Sequence, residues 1–111
     1  MKKIDAIIRP SALRSVLDGL SSVGYSGDTV TEVQGHGTQK GITESYRGQN
    51  VESLLPKLQL SVVVNDKKIN KVIEILIMTA RTGEIGDGKI FVSPVTNAIR
   101  IRTGEKGDKA I

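Results

Sequence analysis

The stretch LQLSVVVNDKKINKVIEILIMTA, residues 58–80, changes its apolar period part-way along and decides the fold. From Leu58 to Val64 every second residue is a leucine or a valine, the alternation that turns one face of a strand towards a core. We expect Asn65 or Asp66 to cap a following helix, because such side chains accept hydrogen bonds from the first turn. The helix is predicted by apolar residues three and four positions apart: Ile69, Val72, Ile73, Leu76 and Ala80.

The first part of the chain repeats this order. IDAIIR, residues 4–9, predicts a strand that ends at Pro10, since proline cannot donate to a sheet ladder. A helix capped by Ser11 follows, and the β-branched stretch TVTEVQ, residues 29–34, predicts a second strand. The helix is defined by its apolar stripe and by the glycines expected to end it: Leu13, Val16, Leu17 and Leu20, then Gly24 or Gly27.

Two more strands are predicted near the C-terminal end, KIFVSPV at 89–95 and AIRIR at 98–102. The order strand, helix, strand thus occurs twice, with one short strand added. This pattern favours an α+β, ferredoxin-like fold, in which an antiparallel sheet carries two helices on one face, over a doubly wound parallel sheet. With 111 residues, the chain is expected to form one domain over 1–111.

Composition argues against several classes of protein. The chain has no cysteine, which excludes a disulfide framework and a thiolate metal site. Its net charge of +4 comes from scattered lysines and arginines, and it has no tryptophan, so we expect no nucleic acid partner. The N-terminal MKKIDAIIRP does not form a signal-peptide core, and no stretch is long enough to span a bilayer.

The segment RTGEIGDGKIFVSP, residues 81–94, places three glycines and a lysine between the second helix and a strand. Glycine permits positive φ and lacks the Cβ that would hold an oxyanion away, so successive N–H groups could line a phosphate. Taken alone, the segment also fits a helix cap and a turn. Arg100 and Arg102 alternate with isoleucines, and in an extended chain their guanidinium groups would project from one face towards a polyphosphate. A solvated strand face is the alternative.

Several segments of the chain resemble a known family. The segments TVTEVQGHGTQKG, ESYRG, LLPKL, ARTGEIGDGKIFVSPV and IRIRTGEKGDKAI together are similar to the nitrogen regulatory protein PII family. The resemblance implies a homotrimeric, ferredoxin-like signal transducer that binds ATP or ADP in clefts between subunits and 2-oxoglutarate beside Mg-ATP. It implies that 37–54 is the T-loop, 81–89 the B-loop and 100–108 the C-terminal loop of the family.

The resemblance also implies the ligand-binding residues. Gln39 would coordinate Mg, and Lys57 would pair with the distal carboxylate of 2-oxoglutarate. That ligand would also contact Gln39, Lys40, Gly41 and Gly86. The nucleotide positions, with the two arginines reaching in from a neighbouring subunit, are Ile7, Thr29, Gly35, Gly37, Thr38, Gln39, Val64, Gly86, Asp87, Gly88, Lys89, Arg100 and Arg102.

The same resemblance implies a cytoplasmic regulator and not an enzyme. Its partners would be nitrogen-metabolism proteins such as an ammonium channel, a glutamine synthetase regulator or a transcription factor, with a membrane met only through the channel. The alternative is a nucleotide-binding phosphoryl-transfer enzyme, a weak ATPase, on the same fold. The single histidine, His36, lies between two glycines and is interpreted as a loop residue rather than a catalyst.

The chain departs from the family pattern in the expected T-loop, residues 37–54. Thr38 stands where many members have arginine, which leaves the ATP over ADP preference open. The loop is one residue shorter than usual, and Val51 lies near the position of the tyrosine that many bacterial members modify. Gln49 and Asn50 stand near the serine phosphorylated in some other members. We therefore predict regulation by ligands alone, with Tyr46 as a contact residue.

Overall fold

A computed structural model describes residues 1–25, 27–36, 43–46, 49–52 and 54–111. Short 3-10 turns precede both helices and lie near the C-terminal end of the chain. The helices and strands are β1 (Lys2–Ile8), α1 (Leu13–Ser22), β2 (Asp28–Gly35), β3 (Thr43–Tyr46), β4 (Gln49–Glu52), β5 (Leu55–Val64), α2 (Ile69–Ala80) and β6 (Lys89–Pro94).

The main sheet has the strand order β2-β5-β1-β6, and every neighbouring pair is antiparallel. The first strand is therefore central, between β5 and the last strand, and each strand–helix–strand unit returns to the same sheet. This topology confirms the predicted ferredoxin-like α+β fold with a duplicated βαβ order. Within the described residues, no helix is both long and apolar enough to cross a membrane.

The core lies between the sheet and the two helices. Alternate residues of β1 and β5 are buried, as the period of two predicts, and the residues between them lie on the opposite sheet face. That opposite face is called the open face below. The buried side chains form one cluster: Ile4, Ala6, Ile8, Val16, Leu20, Leu60, Val62, Val64, Val72, Ile75 and Leu76.

Both predicted helix caps are wrong. Neither helix has a side-chain cap, because each is entered through a 3-10 turn that satisfies its first amides by backbone bonds. Pro10 begins the first turn, so Ser11 lies inside the turn rather than at its cap. The Asn65 carbonyl, and not its side chain, accepts from the Lys68 amide at 3.1 Å in the second turn. Gly24 follows the end of α1 with a φ of 88°, as expected of a helix-ending glycine.

The predicted strand at 98–102 is also wrong. This segment is one side of a tight turn in which the Arg100 amide donates to the Glu105 carbonyl at 2.9 Å. The Gly104 amide donates to the Arg100 carbonyl at 2.7 Å, and Gly104 has a φ of 73°, which glycine adopts readily. Ile101 is 99% exposed, so the alternation of isoleucine and arginine does not reflect a buried face here.

The long connection between β2 and β5 contains a short hairpin. β3 and β4 are antiparallel, from Thr43 opposite Glu52 to Tyr46 opposite Gln49. This hairpin is compatible both with a solvated extension of the sheet and with a loop that binds a partner.

The two helices are in close contact at Gly19. A Cβ at this position would lie 2.8 Å from Thr79 Cγ2 and 3.0 Å from Ile75 Cγ2. The Thr79 hydroxyl donates to the Ile75 carbonyl at 2.7 Å, which holds the threonine in place. Alanine would therefore crowd the helix interface rather than fill a gap.

We expect Gly19→Ala to destabilise the protein. The crowding costs about 1–3 kcal/mol, and the better helix propensity of alanine offsets about 1 kcal/mol. The unfolding midpoint in a thermal melt should fall by about 4 °C. Ser15→Ala, at an exposed position of the same helix, is the control and should leave the midpoint unchanged or slightly higher. A midpoint that rises in Gly19→Ala would contradict the close helix contact.

Candidate functional site

The loop between α2 and β6, residues 81–89, has positive φ at three glycines, with values of 90° at Gly83, 103° at Gly86 and 107° at Gly88. Gly88 has tight surroundings, because a Cβ there would lie 1.6 Å from the Ile7 carbonyl oxygen. The space that the missing Cβ leaves is thus filled by the backbone of β1. Gly88 therefore packs the loop against the central strand, and its expected contact with an anion remains a prediction.

Asp87 ties the start of this loop to its end. Its carboxylate accepts hydrogen bonds from the Thr82 amide at 2.8 Å, from the Gly83 amide at 2.9 Å and from the Thr82 hydroxyl. The Arg9 guanidinium adds a longer bond at 3.4 Å. The pKa of Asp87 is lowered to about 2: the Thr82 hydroxyl is the largest cause, burial opposes it, and the two backbone amides and Arg9 add to the lowering. The carboxylate is therefore directed into the loop.

Two cations hold carbonyl groups of the same loop. Arg9, at the exit of β1, donates from Nη2 to the Ile85 carbonyl at 2.6 Å. Lys57, on β5, donates from Nζ to the Gly86 carbonyl at 3.0 Å. Burial lowers the pKa of Lys57, the nearby Arg9 lowers it further, and the Asp87 carboxylate opposes both effects. Sequence reasoning did not identify Arg9, although a cation at the end of a strand next to the glycine-rich loop is a signal once the strand order is known.

A cavity of about 570 Å³ lies beside the loop on the open face of the sheet. It is called the loop cavity. Its lining includes the side of the loop, the ends of β1, β2 and β5, the exposed residue His36, and two lysines. The loop cavity brings together seven of the predicted ligand-binding residues: Ile7, Gly35, Lys57, Gly86, Asp87, Gly88 and Lys89. A concave site with two cations and a glycine-rich wall suits an anionic ligand.

A second cavity of about 880 Å³ lies further along the sheet and is called the terminal cavity, because Ile111 is part of its lining. It holds three other predicted nucleotide residues, Thr29, Val64 and Arg100. The side chain of Val64 is fully buried in the core, so any ligand would meet only its backbone. Arg102 is exposed two residues after Arg100, on the same turn.

The two groups of predicted nucleotide residues are separated in one chain. Gly35 pairs with Leu55 and Thr29 pairs with Ser61, at opposite ends of β2 and far apart along β5. Six positions of extended strand correspond to roughly 20 Å. Arg100, which belongs to the terminal cavity, is engaged there with Glu105 at 3.8 Å. The predicted nucleotide residues of one chain therefore lie in two separate groups.

Several predicted residues lie outside the described part of the chain: Gly37, Thr38, Gln39, Lys40 and Gly41. The magnesium prediction and most predicted backbone contacts to 2-oxoglutarate therefore remain predictions. Within the described ranges, no group of three or more histidine, cysteine, aspartate or glutamate residues could hold a metal ion.

The fold and this arrangement can be compared with known proteins. The model of one family, described as nitrogen regulatory protein P-II, matches residues 1–105. The chain belongs to the nitrogen regulatory protein P-II family. Membership confirms the resemblance found in the sequence and supports a signal-transducing regulator of nitrogen metabolism.

Similar P-II proteins match over the full length of the chain. It is 55% identical over 112 residues to the nitrogen regulatory protein P-II of Haemophilus influenzae, covering 100% of both chains. It is 54% identical to P-II 2 of Methanothermobacter thermautotrophicus, covering 100% of this chain and 97% of that protein. These relatives are named as regulatory proteins, which fits a protein that is not an enzyme.

A solved structure also matches this P-II family member. The crystal structure of Arabidopsis thaliana PII bound to citrate is similar, with a TM-score of 0.84 and 40% sequence identity, over 99% of this chain and 91% of that chain. In that structure the Arabidopsis protein is bound to citrate.

Proposed function

We propose that this P-II family member binds ATP or ADP in clefts between the subunits of a homotrimer and reports the bound ligand through its T-loop, residues 37–54. The observation that carries the proposal is the division of the predicted nucleotide residues between the loop cavity and the terminal cavity. If a neighbouring copy presents its terminal cavity to the loop cavity of this chain, both groups meet on one nucleotide. A head-to-tail contact that closes after three copies would form three such sites.

The charges of the two groups support this arrangement. Lys89 lines the loop cavity, whereas Arg100 and Arg102 lie on the turn near the C-terminal end. If Lys89 of one copy lies close to the two arginines of another, an anion must lie between them, because like charges repel each other. A polyphosphate supplies that charge, and arginine forks match its oxygen atoms.

For 2-oxoglutarate, the proposal is that Lys57 pairs with the distal carboxylate. Lys57 is half-buried and lies beside Gly86, so a carboxylate there would be recognised in a partly desolvated setting. Gln39 is proposed to hold Mg beside the nucleotide, and oxygen is the ligand type that this ion prefers. Because Gln39, Lys40 and Gly41 lie near the start of the T-loop, ligand binding there would favour some loop conformations over others.

The loop conformations are proposed to select the protein partners. Any partner that prefers one ligand state must shift the affinity of that ligand by the same factor, since coupling between sites is reciprocal. The proposed partners are nitrogen-metabolism proteins in the cytoplasm, such as an ammonium channel, a glutamine synthetase regulator or a transcription factor. Regulation is proposed to depend on ligands without nucleotidylation, because Val51 lies near the position of the modified tyrosine.

The alternative of a weak phosphoryl-transfer enzyme needs a general base near the nucleotide. Asp87 is the carboxylate of the loop cavity with the most hydrogen bonds, and a pKa of about 2 makes it a poor base at neutral pH. Measuring the ADP released from ATP over hours, by chromatography, distinguishes the weak enzyme from the ligand-binding regulator. Fast release of ADP that persists in every variant with an altered nucleotide site would come from a contaminating enzyme.

Complementation between two variants tests the intersubunit site. Lys89→Ala removes a cation from the loop cavity, and Arg100→Ala with Arg102→Ala removes the cations of the turn. Each variant alone should bind ATP about 10- to 100-fold more weakly in calorimetry, the effect of losing charge-assisted hydrogen bonds. After the two variants are mixed at equal amounts and reassembled, about a quarter of the sites should combine two intact parts and recover the original affinity.

The outcomes separate the components of the proposal. No recovery after mixing, with both variants weak alone, would place the whole site within one chain. If neither variant weakens ATP binding, the nucleotide does not bind at these residues. Light scattering on the unmodified protein gives the number of copies in the assembly, and a monomer would contradict the homotrimer.

A further inference from the structure

The carboxylate of Asp87 joins parts of the loop that the sequence does not connect. Its oxygens accept from the Thr82 and Gly83 amides at the start of the loop and from the Arg9 guanidinium at the end of β1. The same guanidinium donates to the Ile85 carbonyl in the middle of the loop. The start, middle and end of the loop are therefore linked through one ion pair, Asp87 with Arg9.

We propose that Asp87, held by Arg9, is a positioning residue that fixes the shape of the glycine-rich loop before the anionic ligand arrives. It does so without contacting the ligand. The inference rests on the proposed nucleotide site and adds to it a residue that acts through the loop backbone. It also changes the predicted role of Asp87 from a contact of the nucleotide to a support of the residues around it.

The glycines make such a support necessary. Gly83 and Gly86 adopt positive φ, and unrestrained glycine samples more backbone conformations than any other residue. A loop that is already ordered loses little conformational freedom on binding, which improves affinity without a new contact to the ligand. The pKa of Asp87 is lowered to about 2, so its carboxylate is charged near neutral pH and can keep its ion pair with Arg9 while the ligand binds.

A direct role for Asp87 predicts the opposite effect of removing its charge. A carboxylate close to phosphate groups repels them, so neutralising it would strengthen binding if electrostatics alone decided the outcome. A positioning carboxylate, in contrast, is needed for the loop shape, and its loss weakens binding. The sign of the change in affinity therefore distinguishes the two roles.

The chain offers a matched control in Glu84. This residue is in the same loop and lines the loop cavity, and the network around Asp87 uses its backbone amide, which donates to the Thr82 hydroxyl at 3.1 Å. Glu84→Gln removes the same charge from the same wall while leaving that backbone bond in place. The difference between Asp87→Asn and Glu84→Gln thus isolates the effect of loop geometry from that of charge.

The test is calorimetry with ATP on the assembled protein. We expect Asp87→Asn to weaken ATP binding about 5- to 30-fold, since asparagine offers one acceptor oxygen and loses the ion pair. Glu84→Gln should leave the affinity unchanged or improve it by up to about threefold. Arg9→Gln should weaken binding in the same direction, and Asp87→Asn combined with Arg9→Gln should cost less than the product of the two separate factors.

Hydrogen exchange provides a measurement that a loss of global stability would not reproduce. In Asp87→Asn the amides of residues 82–88 should exchange faster while those of β1 and β5 keep their rates. Thr82→Val, which removes only the hydroxyl donor, should show a smaller change in the same direction and serves if Asp87→Asn does not fold. ATP binding in Asp87→Asn as tight as in Glu84→Gln, with unchanged exchange in the loop, would overturn the inference. If the unmodified protein does not bind ATP, the proposed function fails, and the exchange comparison still decides whether Asp87 orders the loop.

Discussion

Gly88→Ala is expected to reduce ATP affinity more than 100-fold. The added Cβ would lie 1.6 Å from the Ile7 carbonyl oxygen and 2.8 Å from the Ile7 carbonyl carbon, and the residue would also have to keep a φ of 107°. Ile7 cannot retreat, because β1 is hydrogen-bonded on both sides, to β5 and to β6. The loop must therefore move away from the strand and take Lys89 with it.

The control for this prediction is Gly83→Ala. Gly83 also has a positive φ, of 90°, but a Cβ there would meet nothing within 4 Å. Backbone strain alone should cost Gly83→Ala about 1 kcal/mol of free energy, which corresponds to ATP binding that is roughly fivefold weaker. Calorimetry with ATP on both variants, together with a thermal melt, measures the difference. Equal losses in the two variants would mean that the contact with β1 does not determine the loop position.

Lys57→Met is expected to abolish detectable 2-oxoglutarate binding while changing ATP affinity by less than about threefold. Methionine keeps much of the length and apolar volume of lysine and removes the charge. A partly desolvated carboxylate that loses the cation paired with it loses a charge-assisted bond and keeps its desolvation cost, so an effect of at least about 50-fold is expected. The measurement is calorimetry with 2-oxoglutarate in the presence of saturating Mg-ATP.

A second lysine serves as the control for that experiment. Lys67 is exposed on the 3-10 turn before α2, away from the loop cavity, and Lys67→Met removes the same charge from the protein. Lys67→Met should leave the affinities for ATP and for 2-oxoglutarate unchanged. An unchanged 2-oxoglutarate affinity in Lys57→Met would reject the assignment of this lysine, whatever the result with ATP.

The arrangement of the core could be predicted from the sequence because it depends on local periods. The alternation from Leu58 to Val64 appears as expected, with Leu58 partly buried and the other three members buried. In the stripe from Ile69 to Ala80, Val72 and Leu76 are buried and the other members are partly buried. The alternation at 98–102 has the same appearance but no core to face. Its conformation is set by Gly104 and by the bond between Arg100 and Glu105, which a period of two does not reveal.

The conformation of the loop at residues 81–89 could also be predicted only in part from the sequence. Its glycines indicated unusual backbone conformations, and all three have positive φ. The reason for Gly88 is the carbonyl of Ile7, which is distant in sequence and adjacent only through the sheet register. The roles of Arg9 and Asp87 likewise depend on a hydrogen bond between residues 78 positions apart. Contacts of this kind follow from the fold and are not visible in a local pattern.

The central position of β1 has a consequence for synthesis of the protein. β1 leaves the ribosome before both of its neighbours, Leu55–Val64 and Lys89–Pro94, so its second edge stays uncovered until the segment up to Pro94 has been made. The walls of the loop cavity come from the same distant segments. A product truncated by premature termination before Lys89 would keep an uncovered strand edge and lack an assembled cavity, and it would be a substrate for proteases rather than a partly competent sensor.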